Sequence, residues 1–304
     1  MFEDAPWGRL VGRDAEFARL RALLDDAASG QAVVALIGGD AGVGKTRLVT
    51  EVTRLAAAGG FTVLSGRCAE LGESVPYLPM ADALRGATRT PSAAPGLADA
   101  LASRPLLGRL LAESGTATAR GGDGEGMARQ QMFGAVLGLL AEVAAAGPVL
   151  LVFEDLHWAD ASTRDLLTFL SRVLGTERVV IVGTYRTDDL HRRHPLRPLL
   201  AELQRLPTVT AIPLGPLDPA ALAEHLTALA GAQHAGVGPV DPGPGRGAAD
   251  LVPRVGVSGP DAAALNGIIA RAEGNAYYAE ELLAAFTDRG DHEHVLPAGL
   301  AARC

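Results

Sequence analysis

The sequence predicts an α/β fold built on a parallel β-sheet with helices covering both faces. Three observations lead there. Short apolar runs rich in β-branched residues alternate with stretches of helical spacing. The runs are almost uninterrupted in apolar residues, the pattern of strands buried on both faces. The first run ends in a glycine-rich turn that opens directly into a helical pattern.

Taken in order, residues 17–28 read as a helix. Residues 31–37 (QAVVALI) form the first strand, which stops at Gly38-Gly39. Residues 46–58 place Leu48, Val49, Val52, Leu55 and Ala56 at helical spacing, ended by Gly59-Gly60. Residues 61–66 are the second strand. Residues 70–126 are rich in Ala, Gly and Pro and read as a helical insertion with loops. A helix over 127–146 leads through Pro148 to a third strand at 149–153, which delivers Glu154 and Asp155. Helix 162–174, strand 179–185, helix 196–206 and a weaker strand at 209–214 complete the alternation. Beyond Leu214 the strands cease: 219–229, 261–272 and 277–286 read as helices, and 231–260 is dense in Gly and Pro and reads as a flexible loop.

The composition narrows the function. The chain has 304 residues, 48% apolar, with a formal net charge of −8 and a sequence pI of about 5.4. That balance argues against a nucleic-acid-binding surface in this chain, because neutralising phosphates takes clustered Lys and Arg. Two cysteines, Cys68 and the terminal Cys304, make no disulfide framework. The acidic start Met1-Phe2-Glu3-Asp4 is unlike a signal peptide. The most apolar stretch, 135–153, is broken by Glu142 and Gly147-Pro148, short of a spanning helix. A cytoplasmic protein without membrane contact is expected. There are 26 arginines but a single lysine, Lys45. It lies in the glycine-rich turn.

That turn, residues 39–46 (GDAGVGKT), matches G-x-x-x-x-G-K-[ST] at every fixed position. Gly39, Gly42 and Gly44 let the backbone curl so that successive N–H groups, Val43's among them, point at phosphate oxygens. The helix beginning near Lys45 adds the positive end of its dipole. The Lys45 ammonium is placed for the β- and γ-phosphates, and the Thr46 hydroxyl for magnesium. The expected ligands are ATP or ADP with Mg2+. A guanine-specific Asn-Lys-x-Asp motif is excluded, since there is no second lysine and the only asparagines are Asn266 and Asn275.

Phosphoryl chemistry on such a loop calls for a carboxylate at a neighbouring strand tip. Glu154 and Asp155 supply two: Glu154 is assigned to the metal and Asp155 to the catalytic base, and the two roles could be exchanged. Arg186, at the next strand tip, suits a γ-phosphate sensor. His157 and Asp160 could ligate a metal, but a turn with an aromatic anchor at Trp158 and a helix N-cap accounts for them. Arg192, Arg193 and Arg197 read as a solvated basic loop, with an arginine finger to a neighbouring subunit as the alternative. His292 and His294 read as exposed linker.

These motifs occur in a telling order: Leu10-Val11-Gly12-Arg13, the phosphate loop, the Glu154–Asp160 block (EDLHWAD), Gly183-Thr184-Tyr185-Arg186, and Glu273-Gly274-Asn275 ahead of Glu280-Glu281-Leu282. Together they resemble the AAA-like ATPase module of the signal-transduction ATPases with numerous domains, and most closely the N-terminal part of large ATP-binding LuxR-type transcriptional regulators. The resemblance implies a five-stranded parallel sheet of order 5-1-4-3-2 followed by a small helical lid. The implied division is a nucleotide-binding core at 8–215, a lid at 216–288 containing the 231–260 loop, and a linker with the start of a truncated winged-helix domain at 289–304. Val11, Gly12 and Asn275 would approach the adenine, and Arg186 would be the sensor. The implied function is a nucleotide-dependent switch that hydrolyses ATP slowly, self-associates in its ATP state and answers an unknown inducer. DNA would be reached only through a C-terminal domain that this chain lacks. The family's usual Gly-Asn-Pro in the lid is Gly274-Asn275-Ala276 here. The alternatives are a turnover ATPase, a P-loop kinase, or a module related to that of soluble adenylyl cyclases without cyclase activity.

Overall fold

The computed structural model describes residues 10–70, 75–89, 94, 96–112, 124–235 and 262–288. Five strands form one sheet: β1 (Val33–Gly39), β2 (Thr62–Arg67), β3 (Val149–Glu154), β4 (Val179–Arg186) and β5 (Val209–Pro213). Their order is β2-β3-β4-β1-β5 and every pairing is parallel, as the family resemblance implied. Placing β1 beside β4, and not beside β3, requires crossovers, which the intervening helices provide.

Burial explains the strand sequences. All seven residues of β1 are buried, and so are the first five of β3 and the first seven of β4. Edge strand β5 is mostly half-buried, in keeping with its weaker pattern. Helix α1 (Asp14–Ala28) buries Leu20, Leu23, Leu24 and Ala27, one stripe at helical spacing, and starts three residues earlier than its periodicity indicated. Helix α2 (Lys45–Ala58) buries Leu48, Val49, Val52 and Ala56.

The insertion resolves into α3 (Leu78–Thr88), α4 (Leu97–Ala102) and α5 (Pro105–Ala112), with α6 (Gly124–Ala146) returning to the sheet. Arg104 joins these pieces: its guanidinium donates to Glu142 (2.7 Å), to the Ala100 carbonyl (2.7 Å) and to the Gly138 carbonyl (2.9 Å). Helices α7 (Ala161–Val173) and α8 (Leu196–Leu203) complete the covering layers. The main core gathers Leu36, Leu64, Met80, Leu84, Leu139, Leu151, Phe153 and Ile181.

The chain separates into two compact units, Arg13–Ala41 with Lys45–Leu214, and Met1–Gly12 with Gly42–Gly44 and Gly215–Cys304. In the second, α9 (Pro219–Ala235), α10 (Ala262–Ala272) and α11 (Ala276–Asp288) enclose their own core of Leu222, Leu226, Ile268, Ala279, Leu282 and Leu283, together with Val11. His225 of α9 meets Glu280 of α11 at 2.6 Å. Helix α9 runs on to Ala235, into the stretch expected to be loop; the rest of the 231–260 segment, and the linker with His292 and His294, lie outside the described residues. Among the described residues no helix is long and apolar enough to cross a membrane.

Candidate nucleotide-binding site

The phosphate loop begins while the chain is still in the sheet, since Gly39 is the last residue of β1 and the register partner of Arg186 in β4. The loop then turns left-handed at Gly42 (φ 79°) and Gly44 (φ 98°), a conformation that side chains with a Cβ disfavour. Lys45 opens α2. Thr46, in the first turn, is exposed.

Lys45 is only 8% exposed, and its ammonium donates to the carbonyls of Gly39 (2.7 Å) and Asp40 (2.7 Å). The side chain therefore lies back along its own loop, held at the loop's mouth. Burial lowers its pKa and the nearby Arg186 lowers it further, while Asp188, Asp155 and Asp40 oppose that shift. Its positive charge is thus poorly compensated, which favours an incoming polyanion.

At the tip of β3, Glu154 continues the strand and Asp155 leaves it with φ 59°, ψ 46°, a left-handed conformation unusual for a residue with a side chain. The Asp155 N–H donates to Thr184 Oγ1 in β4 (3.0 Å), which fixes the turn. Backbone strain of this kind gathers at functional sites. Arg67, from the end of β2, lies 3.4 Å from Glu154 and 3.6 Å from Asp155. Sequence reasoning did not single it out; the signal would have been a basic residue ending the strand beside the acidic one, with Arg67 and Glu154 as register partners.

Leu156–Trp158 form one 3-10 turn. The expected helix cap is there: Asp160 Oδ1 accepts from Thr163 N–H (3.1 Å), and its Oδ2 accepts from the Thr163 hydroxyl. The aromatic anchor is a different residue from the one expected. Trp158 is 38% exposed, whereas His157 is buried, with its Nδ1 accepting from Arg186 N–H at 3.4 Å. The turn points the imidazole inward and the indole outward. Burial depresses the His157 pKa, with Asp155 and Asp189 opposing, and Arg186 and Lys45 adding to the shift. Among the described residues no group of three or more His, Cys, Asp or Glu side chains is gathered that could hold a metal ion by itself. Arg186 itself is half-exposed, and Arg192 and Arg193 are exposed on the loop ahead of α8.

The residues expected near adenine lie in the other unit. Val11 is buried in the cluster with Leu217 and Ala221. Gly12 (φ 67°) sits so close to this cluster that a Cβ would fall 2.6 Å from that of Ala221. Asn275 caps α11 by accepting from Tyr278 N–H (3.0 Å), and Tyr277 N–H donates to Gly42 O (3.1 Å). A Cβ on Gly42 would come within 2.4 Å of Asn275 Oδ1. Ala276, at the position of the usual proline, is the first residue of α11. Proline is well suited to a first helical turn, but alanine also helps there.

A fully buried parallel strand, a loop with two left-handed glycines, a lysine opening the following helix, and an acid-tipped strand one place removed in the sheet define a P-loop nucleoside triphosphatase fold. The chain belongs to the AAA ATPase domain family, whose model matches residues 9–182. An uncharacterized protein of Rhizobium meliloti (strain 1021) is 29% identical over 220 residues, which are 66% of this chain and 21% of that protein. The chain therefore spans about a fifth of that relative's length. Among solved structures, Drosophila ORC bound to DNA is similar over 95% of this chain and 58% of that one, at 14% identity and a TM-score of 0.52. PCH-2 of Caenorhabditis elegans is similar over 95% and 66%, at 16% identity and a TM-score of 0.49. At 14% identity the likeness to the ORC chain is one of fold.

The donor set suits a magnesium nucleotide. The Lys45 ammonium and the loop amides would hold the phosphates. The Thr46 hydroxyl, with Glu154 or Asp155, would hold the ion, the remaining ligands being phosphate oxygens and water.

Proposed function

We propose that this chain is an ATP-binding regulatory ATPase module, a nucleotide-dependent conformational switch that hydrolyses ATP slowly and belongs to a LuxR-type transcriptional regulator. The observation that carries the nucleotide reading is the buried Lys45 ammonium, held at the start of α2 beside the register pair Gly39 and Arg186. The adenine preference rests on the absence of any second lysine for a guanine motif, and the proposed adenine neighbours are Val11, Gly12 and Asn275.

Each group has a proposed task. Lys45 neutralises the β- and γ-phosphates. Thr46 and Glu154 hold magnesium, which supplies charge neutralisation at the transferred phosphoryl group. Asp155 accepts the proton of the attacking water; its fixed turn supports this assignment, as does its charge acting on Lys45. Arg186 addresses the γ-phosphate. The motif order from Val11 to Asn275 supports the regulator subgroup, as does a relative about five times longer than the matched segment. Self-association in the ATP state, response to an inducer, a cytoplasmic location and DNA contact through another domain follow from that subgroup.

The test is to identify the nucleotide released when purified protein is denatured and to measure turnover with Mg-ATP. A switch releases ADP and turns over well below about one ATP per second, far under typical enzyme rates. Turnover of tens per second would transfer the chain to the turnover ATPases, and an empty site with no measurable ATP affinity would defeat the reading.

A further inference from the structure

The loop leaving β4, Thr187-Asp188-Asp189, divides its work between two neighbours. Thr187 and Asp188 grip the phosphate loop. Thr187 N–H donates to Gly39 O (3.3 Å), the Thr187 hydroxyl donates to Asp40 Oδ1, and Asp188 Oδ2 accepts from Ala41 N–H (3.3 Å). Asp189 faces elsewhere. Its Oδ2 lies 3.8 Å from Arg186 Nη1 and 3.5 Å from His157 Nε2. Among the described residues, Asp189 Oδ2 and His157 Nε2 are the buried side-chain polar atoms without a hydrogen bond.

The proton on His157 follows from its partners. Nδ1 accepts from Arg186 N–H, so the ring's own N–H is on Nε2 and is directed at Asp189. Asp189 Oδ2 therefore stands between two donors, a guanidinium and an imidazole N–H, and is within hydrogen-bonding distance of neither. Such a carboxylate can give up one and close on the other without being stranded.

We propose that Asp189 is the resting counter-ion of Arg186, and that exchange of this carboxylate for a terminal phosphate is the step by which the site tells a nucleoside triphosphate from a diphosphate. The inference rests on the nucleotide reading given above. Arg186 is half-exposed and held by an ion pair too long for a hydrogen bond, so it is free to turn to a stronger anion. As it turns, Asp189 closes on the His157 N–H. A diphosphate offers no γ-oxygens and leaves Arg186 on Asp189. The carboxylate thus lowers triphosphate affinity and leaves diphosphate affinity alone.

Asp189→Asn tests this, because the amide oxygen still accepts from His157 while the charge is lost; Asp189→Ser is a second neutral variant. Calorimetry with Mg-ADP and a non-hydrolysable Mg-ATP analogue is run on the wild type, both variants, Arg186→Ala, and Arg186→Ala combined with Asp189→Asn. The neutral variants should raise the ratio of analogue to ADP affinity about 1.5- to fivefold, the range expected of a partly exposed ion pair. In the Arg186→Ala background Asp189→Asn should change nothing. An unchanged ratio, an equal change for both nucleotides, or the same gain without Arg186 overturns the proposal. A wild-type protein that binds neither nucleotide overturns the nucleotide reading itself, and the wild-type titration alone reveals that.

Discussion

Gly39 of β1 and Arg186 of β4 are register partners in adjacent parallel strands. The residue that opens the phosphate loop and the arginine at the neighbouring strand tip are therefore held about 5 Å apart by the sheet itself. Loop movements can redirect the Arg186 side chain, but its root stays where the ladder fixes it. Strand β3, one place further on, sets the distance of Asp155 in the same way.

Lys45→Ala should abolish measurable nucleotide binding while the fold persists. The ammonium would make charge-assisted hydrogen bonds to two phosphates, each worth roughly 1.5–3 kcal/mol, so affinity should fall by about a hundredfold or more. Stability should change by no more than about 2 kcal/mol, since the two carbonyls lose a donor but a poorly compensated charge leaves the interior. Calorimetry and urea unfolding check both halves. Unchanged affinity would refute the phosphate-loop assignment.

Asp155 should tolerate Asn better than Ala. At φ 59° asparagine is at ease and alanine strained, by roughly 1 kcal/mol. Both variants should retain ATP, and both should lose at least about a hundredfold in phosphate release, the usual scale of a general base. Undiminished hydrolysis in Asp155→Asn would move the base to Glu154.

Gly42→Ala should destabilise its unit and weaken nucleotide binding together. The added methyl meets Asn275 at 2.4 Å, and φ 79° is unfavourable for alanine. A thermal midpoint several degrees lower is expected, and Gly42→Ala combined with Asn275→Ala should recover part of the loss. A midpoint equal to wild type would contradict the packing described.

Cys68 should be silent to thiol reagents until the chain opens. Burial pushes its thiol up to about 12, with Asp160 and Asp155 adding to the shift. In a Cys304→Ser background, alkylation at pH 8 should follow unfolding rather than encounter. An unfolded thiol ionises near pH 8.5, so above that value the unfolded chain sheds a proton that the folded chain keeps. Stability should accordingly be intact below about pH 8.5 and decline as pH rises toward 12, by up to about 1.4 kcal/mol per unit. Urea titrations at pH 8 and pH 10 should show a smaller decline in Cys68→Ala.

Much of this fold was legible because parallel strands announce themselves. Residues 33–37, 149–153 and 179–183 are apolar on both faces, and the structure buries them on both faces. Strand order is another matter. Nothing in local spacing says that β4 separates β1 from β3; only the family resemblance implied it. Helices α3 to α5 were hidden because Ala, Gly and Pro give no sharp period. The inward turn of His157 depended on a single 3-10 turn. Arg67, Asp188 and Asp189 escaped notice for a different reason. Each gains its meaning from a partner far away in sequence, Arg67 with Glu154 and Asp188 with the Ala41 N–H, which only the folded sheet brings near.

The burial of Lys45 has a practical consequence for chemistry done on this chain. A reagent that acylates primary amines has one side-chain target among 304 residues, and that target is enclosed with two backbone carbonyls in front of it. Folded protein should therefore leave the Lys45 side chain unmodified. An adduct on Lys45, located by peptide mass, would mark each molecule whose phosphate loop has come open, which makes this side chain a built-in reporter of local unfolding.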